Sequence, residues 1–305
     1  MDSSVVEKQP QGPEYELPPW HRMFEREYLL PIVFYFAIWR CGAYYAQRNC
    51  WNGYEVSAFT RYRLRNLTVC LFHAAFTAIS TLVFMAVYPD VMFHDTIHWW
   101  SDRCAHIFLA SLAYFLHDQY DMVLNEWTPR MVELFLHHTL TIFVYCVQLS
   151  TKKFQPYAFW AIMMEVNSVF LHVRAVMMMS GWKNIYPKTF QTIRALNLLT
   201  FLVFRFGVQS WQIWWIMENR FNMHYFYFCV GYYGGIVFLC INTILFARIL
   251  YSDGYLCKRK SLNKSNTDMA IQQLNEPLLS SWPPDSPEKQ RNGRRSSRKS
   301  TSKSD

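Results

Sequence analysis

The chain has 305 residues, of which 52% are hydrophobic and 18% are aromatic. The apolar residues fall in blocks of about 20, long enough to cross a ~30 Å hydrocarbon core as helices, which argues against an ordinary soluble domain. The formal net charge of +8 is concentrated near the C-terminus, and a basic tail tethered to a membrane is a poor nucleic-acid-binding surface. We therefore predict an all-α polytopic membrane protein, because backbone groups within a bilayer need internal hydrogen-bond partners.

Seven apolar runs predict about seven transmembrane helices after a polar lead-in over residues 1–28. The runs cover roughly residues 29–46, 67–88, 104–124, 132–149, 156–179, 194–217 and 225–250. We predict a loop over residues 89–103, whose tryptophans are typical of the membrane interface. In the last run, Gly231, Gly234 and Gly235 are expected to allow close helix packing. The eight cysteines include no CxxC pair, so they do not indicate a redox function.

The C-terminal region, residues 251–305, is predicted to be a disordered cytoplasmic tail. Residues 258–305 contain 11 Lys and Arg against 5 Asp and Glu, and so polar a segment cannot bury a core of its own. Basic tails favour the cytoplasmic side of a membrane. We therefore expect the tail to be attracted to anionic lipid.

An adjacent histidine pair, His137 and His138, lies within the fourth apolar run. Glu133 precedes His137 by four residues, which is one helical turn, so the two side chains are expected to meet. Ionisable groups at membrane depth are costly and therefore indicate a functional site. Neighbouring residues diverge by about 100° on a helix, so we expect the two histidines to face different ways.

Other polar residues occur within the predicted spans. Asp118 and Asp121 share a helix face by their spacing, and with the histidine pair they are our candidates for catalysis. Those expected to bind a ligand are His73, Glu133, Glu165, Asn167, His172 and Arg205. The sequence predicts a pocket that opens toward the cytoplasm.

Two arginines in the predicted spans have different expected roles. Arg205 lies near the middle of its span, where we predict an ion pair with Glu165, since neither charge is tolerated facing lipid. Arg174 lies near a helix end and is predicted to extend to the cytoplasmic interface. We predict no metal site, because a zinc site needs three or four ligands whose geometry this spacing does not specify.

Several short motifs, taken in order and spacing, resemble the TLC domain shared by the TRAM and ceramide synthase proteins. The resemblance covers roughly residues 60–250 and implies a six-helix core, here with an additional N-terminal helix over residues 29–46. Its motifs are residues 65–67 with His73, residues 114–121, residues 133–139, residues 165–174 and residues 204–205.

Ceramide synthases, which this stretch resembles, follow the histidine pair with an Asp pair in the next span, associated with acyl transfer. This chain has Glu165, Asn167 and Ser168 there instead. We therefore lean against an enzyme and predict no cofactor, with acyl-CoA implied only by an acyltransferase alternative.

The closer resemblance is to TLC domain-containing proteins of the first and second type. It implies a multi-pass protein of the plasma membrane that regulates phospholipid acyl composition and fluidity by limiting the incorporation of long polyunsaturated chains. Its partners would be membrane phospholipids or acyl chains. The alternatives are a ceramide synthase-like acyltransferase, a lipid transporter or trafficking receptor, and a location in the endoplasmic reticulum membrane.

Overall fold

The described chain is a bundle of helices. The computed structural model describes residues 16–125 and 129–255, so the predicted tail beyond residue 255 and the first 15 residues of the lead-in lie outside the described residues. The helices are α1 (Arg26–Asn49), α2 (Ala58–Val87), α3 (Pro89–His94), α4 (Asp102–Asn125), α5 (Pro129–Thr151), α6 (Gln155–Ile162), α7 (Glu165–Met179), α8 (Trp182–Ile185), α9 (Pro187–Thr200), α10 (Val208–Glu218) and α11 (Tyr225–Ser252). A 3₁₀ helix over Trp20–Phe24 precedes α1, and a π-helical segment over Phe201–Gly207 joins α9 to α10.

The predicted all-α membrane fold is confirmed, whereas the count of seven spans is not. Five stretches within the described residues are long and apolar enough to cross a membrane, namely Arg26–Asn49, Ala58–Val87, Val132–Thr151, Gln155–Met179 and Tyr225–Ser252. The other two predicted runs correspond to α4 and to the helix that runs from α9 through α10. Most of α4 is buried among other helices, including both Asp118 and Asp121, which is why an acidic helix fits here.

Three local features differ from the predicted elements. The fifth run is two helices, because the α-helical hydrogen-bond pattern is interrupted at Met163 and Met164 between α6 and α7, although both residues keep right-handed helical backbone angles. The sixth run contains the π-helical segment. The predicted loop over residues 89–103 begins with α3, where Pro89 occupies the first turn, a position that proline favours because it needs no N–H there.

Aromatic stacking joins α2, α4 and α6 in the core. Phe84 and Phe159 stack with ring centroids 3.8 Å apart, and Phe108 meets Phe159 edge-on at 4.9 Å. Each such pair contributes roughly 0.5–1.5 kcal/mol beyond the area that it buries. These contacts fix α6 beside α4 and thereby position the break before α7.

The glycines of α11 have two different roles. A Cβ atom at Gly231 would lie 2.8 Å from Ile216 Cδ1, and one at Gly235 would lie 2.9 Å from Ile213 Cγ1. The predicted close packing therefore holds at these two positions, against α10. A Cβ atom at Gly234 would meet nothing within 4 Å, so this glycine leaves open space instead.

We name the two ends of the bundle after the N-terminal and C-terminal ends of α11. At its C-terminal end, where α11 finishes, Asp253 accepts hydrogen bonds from Arg174 of α7. Arg194 of α9 donates to the Asp253 carbonyl at 2.8 Å, and its Nε lies 3.4 Å from Asp253 Oδ2. The prediction that Arg174 extends to the membrane surface is wrong, because only 6% of it is exposed and it joins α7 to α11.

The N-terminal segment crosses the opposite end of the bundle. Trp20 stacks on Phe143 of α5 at 5.9 Å and meets Phe226 of α11 edge-on at 6.3 Å. Arg22 donates a hydrogen bond to the Ser150 carbonyl. The segment therefore covers the seam between α5 and α11 at this end.

Candidate functional site

A cavity lies between α5, α6, α10 and α11. About 120 Å³ of it is open to the centres of water molecules, roughly ten times what one buried water needs. Its wall is mainly aliphatic and aromatic, with Tyr145, Tyr157 and Phe238 among the large side chains, and Gly234 lies on it. Such a wall suits an apolar chain.

Charged and polar groups reach the same cavity. Those expected from the sequence are His137, Glu165 and Arg205. Three glutamines that the sequence analysis did not single out also line it, namely Gln148, Gln209 and Gln212. The cavity therefore combines an apolar wall with hydrogen-bonding groups, as sites for amphiphilic ligands do.

Arg205 is held by neutral acceptors and not by the carboxylate predicted for it. Its Nε donates to Asn167 Oδ1 at 2.7 Å, one terminal nitrogen donates to Asn242 Oδ1 at 2.7 Å, and the other donates to Ser168 Oγ at 2.8 Å. No salt bridge within 4.0 Å joins Arg205 to Glu165 among the described residues. The predicted ion pair therefore lacks a salt-bridge contact, although both groups line the cavity.

Asn167 is a positioning residue for Arg205 and does not line the cavity. It is completely buried. Its Nδ2 donates to the Asn197 carbonyl and to Thr200 Oγ1, so its Oδ1 is fixed toward the arginine. An amide with its donor side already committed presents its oxygen as an acceptor.

The two histidines face different ways, as predicted. His137 lines the cavity, and its ring meets Phe238 of α11 edge-on at 5.1 Å. His138 faces α4, where its Nδ1 lies 3.4 Å from Asp118 Oδ2. Of the histidine pair, His137 is therefore the one placed to contact a ligand.

The predicted grouping of Asp118 with Asp121 is not observed. Asp121 accepts a hydrogen bond from Tyr62 at 2.7 Å and lies 3.9 Å from Arg40. It therefore belongs to a contact between α1, α2 and α4, whereas Asp118 faces His138 of α5. Residues three apart on a helix diverge by about 60°, which is enough here to direct them toward different neighbours.

Glu133 does not meet His137. Its carboxylate accepts a hydrogen bond from Arg248 of α11 at 2.5 Å, near the C-terminal end of the bundle. The helical spacing permits a contact between Glu133 and His137, but Glu133 pairs with Arg248 of α11 instead. Glu133 is therefore not on the cavity wall.

His73 and His172 also lie away from the cavity wall. His73 is buried, stacks on Tyr114 with centroids 3.7 Å apart, and makes a 2.7 Å hydrogen bond with Ser111. His172 is half-buried on α7. Within the described residues, no group of three or more His, Cys, Asp and Glu side chains could hold a metal ion.

The cavity occupies a different half of the bundle from the one predicted. It follows α5 from His137 to Gln148 and α11 from Phe238 back to Tyr227, away from the C-terminal end of α11. His73, Asp118 and Asp121, which we predicted in one pocket toward that end, do not line this cavity, although Asp121 lines a second, smaller pocket with Tyr62 and His117. The three predicted side chains contact α2, α4 and α5 instead.

The different surroundings of the two histidines predict different costs of substitution. We expect His138→Ala to lower the free energy of unfolding by about 1–3 kcal/mol, because the buried Asp118 loses a polar neighbour. His137→Ala should cost less, since its ring borders open space. Thermal unfolding of both variants in one detergent measures the difference, and equal losses would contradict this assignment.

The chain resembles known proteins over most of its length. Residues 63–251 match the model of the TLC domain. The chain is 29% identical to TLC domain-containing protein 2 of Danio rerio over 72% of this chain and 84% of that protein. It is 26% identical to TLC domain-containing protein 1 of Gallus gallus, over 65% of this chain and 77% of that protein. It is 24% identical to TLC domain-containing protein 2 of Homo sapiens, over 65% and 74%.

Proposed function

We propose that this chain, which belongs to the TLC-domain family, regulates the acyl composition of membrane phospholipids. In this proposal it limits the incorporation of long polyunsaturated chains and thereby sets membrane fluidity. Family membership indicates a role in membrane lipid biology. The observation that supports the finer proposal is the cavity, because an apolar wall with a few polar groups suits an acyl chain with a polar head group.

The cavity's position in the bundle supports lipid as the ligand. It lies between two helices long and apolar enough to cross a membrane, α5 and α11, so its wall is built by helices that would be in contact with lipid. Exposed aromatic side chains on α11, such as Tyr225 and Tyr233, are consistent with a lipid-facing surface. We place the protein in the cell membrane with a cytoplasmic C-terminus.

Acyl transfer is the second candidate function. His137 and Glu165 line the same cavity, and a histidine at a cavity wall can act as a general base on a hydroxyl or amine. Turnover of acyl-CoA by the purified protein, abolished in His137→Ala, would favour this function. The absence of the ceramide synthase Asp pair after the histidines favours regulation without catalysis.

A cavity-filling substitution tests the proposal directly. Gly234→Phe places a ring where a Cβ atom meets nothing within 4 Å, on the cavity wall. In cells that lack the protein, we expect the wild type to reduce the share of polyunsaturated chains in phospholipids and Gly234→Phe to lose most of that effect. Lipid mass spectrometry measures the acyl profile.

The matched control is Gly42→Phe, the same change on the exposed side of α1, where a Cβ atom also meets nothing within 4 Å. It should retain the wild-type acyl profile at equal expression. An unchanged profile when the wild type is restored would overturn the proposed function. A full effect from Gly234→Phe would show that the cavity is not the site.

A further inference from the structure

Two glutamines on the cavity wall have hydrogen-bonding atoms without partners. Both side-chain amide atoms of Gln148, Nε2 and Oε1, are buried and unpaired, as is Oε1 of Gln209. Only 2% of Gln148 and 3% of Gln209 are exposed. A buried polar atom without a partner costs about 1–3 kcal/mol, so these atoms indicate a ligand that supplies the missing hydrogen bonds.

The unpaired atoms set the hydrogen-bonding character of that ligand. Two of the three are amide oxygens, which only accept. The Glu165 carboxylate also lines the cavity and accepts hydrogen bonds when it is ionised. Among the unpaired glutamine atoms, acceptors therefore outnumber donors by two to one, and a head group that satisfies them must carry O–H or N–H groups.

The charges on the wall argue against an anionic head group. Among the described residues that line the cavity, Arg205 is the only lysine or arginine. Each of its three guanidinium nitrogens already donates to Asn167, Asn242 or Ser168. An ionised Glu165 on the same wall makes the formal sum of the two charges zero, so the wall has no net positive charge to attract a carboxylate or phosphate.

We infer that the cavity binds a neutral lipid whose head group donates hydrogen bonds through hydroxyl or amide N–H groups, with Gln148 and Gln209 as its acceptors. This deepens the proposed function by naming the chemical class of the lipid, and it rests on that function only in placing an acyl chain in the cavity. The apolar wall holds part of the chain, and the amides select the head group.

Four lipids with one oleoyl chain test the inference on the purified full chain in nanodiscs. Monooleoylglycerol and N-oleoylethanolamine carry donors, methyl oleate carries acceptors only, and oleate is an anion. We expect the two donor lipids to bind roughly tenfold more tightly than the other two, the ratio that about one hydrogen bond supports. Native mass spectrometry measures the retained lipid.

The double variant Gln148→Leu with Gln209→Leu should lose the preference for donor lipids while still binding methyl oleate. It should remain folded, because replacing unpaired buried polar atoms with apolar groups is close to neutral or stabilising. Gln191→Leu, at an exposed position on α9, is the control and should keep the preference.

Equal binding of all four lipids, tighter binding of oleate, or retention of water alone would overturn the inference. The cellular experiment separates this failure from failure of the proposed function. An acyl shift in cells without head-group preference contradicts only the lipid class. Head-group preference without an acyl shift contradicts only the proposed function.

Discussion

Replacing Asp253 with alanine is expected to lower the free energy of unfolding by about 3–5 kcal/mol, the usual cost of removing one partner from a buried ion pair. The Asp253 side chain is 2% exposed, and Arg174 and Arg194 both lie against it. The variant leaves two arginines facing each other with no carboxylate between them. Thermal unfolding in a mild detergent measures the loss.

Asp102→Asn is the control for this prediction. Asp102 also pairs with a cation, Lys152 at 3.6 Å, but its side chain is 80% exposed. An exposed pair contributes at most about 1 kcal/mol, and asparagine keeps the oxygen that accepts from Trp100. If Asp253→Ala were no more destabilising than Asp102→Asn, the two arginines would not depend on Asp253 for stability.

Arg205→Leu is expected to have the second largest effect, a loss on the order of 3 kcal/mol. It leaves the buried acceptors of Asn167, Ser168 and Asn242 without their donor, and each unsatisfied group costs about 1–3 kcal/mol, partly offset because a buried charge is removed. The variant also releases the contact between α7 and α11 beside the cavity, so lipid binding should fall as well. Thermal unfolding and lipid retention are measured together.

Two comparisons make the Arg205 prediction specific. Arg40→Leu should cost less than about 1 kcal/mol, because that side chain is 40% exposed and lies 3.9 Å from Asp121. Glu165→Gln should cost less than Arg205→Leu, since no direct salt bridge joins the two groups. Equal losses of stability from Glu165→Gln and Arg205→Leu would indicate that the two side chains form an ion pair, which contradicts the structure.

The sequence carries most of the information about where the helices lie. The predicted apolar runs coincide with helical segments between α1 and α11, because a long apolar segment satisfies its backbone groups by forming a helix. The break at Met163 and Met164 could not be predicted in this way. Neither residue is Gly or Pro, and the aromatic contacts of Phe159 with α2 and α4 depend on which helices become neighbours.

The site was predictable in part, for a related reason. The cost of a charge at membrane depth identified His137, Glu165 and Arg205, and all three line the cavity. The same reasoning included His73 and Asp121, which are satisfied by neighbours on other helices. Gln148 and Gln209 were not predicted because glutamine is uncharged and the cost of a charge at membrane depth does not identify it. A glutamine within an apolar run would nevertheless have indicated a buried polar site.

The π-helical segment has a consequence for chain length. Arg205, within this segment, bonds to Asn167, and Gln209, four residues later, lines the same cavity, so the position of both depends on the number of residues in the turns of Phe201–Gly207. Deleting one residue there would turn α10 by about 100° relative to α9, so one of the two contacts would be lost. Relatives that share this cavity should therefore show no alignment gap across these seven positions.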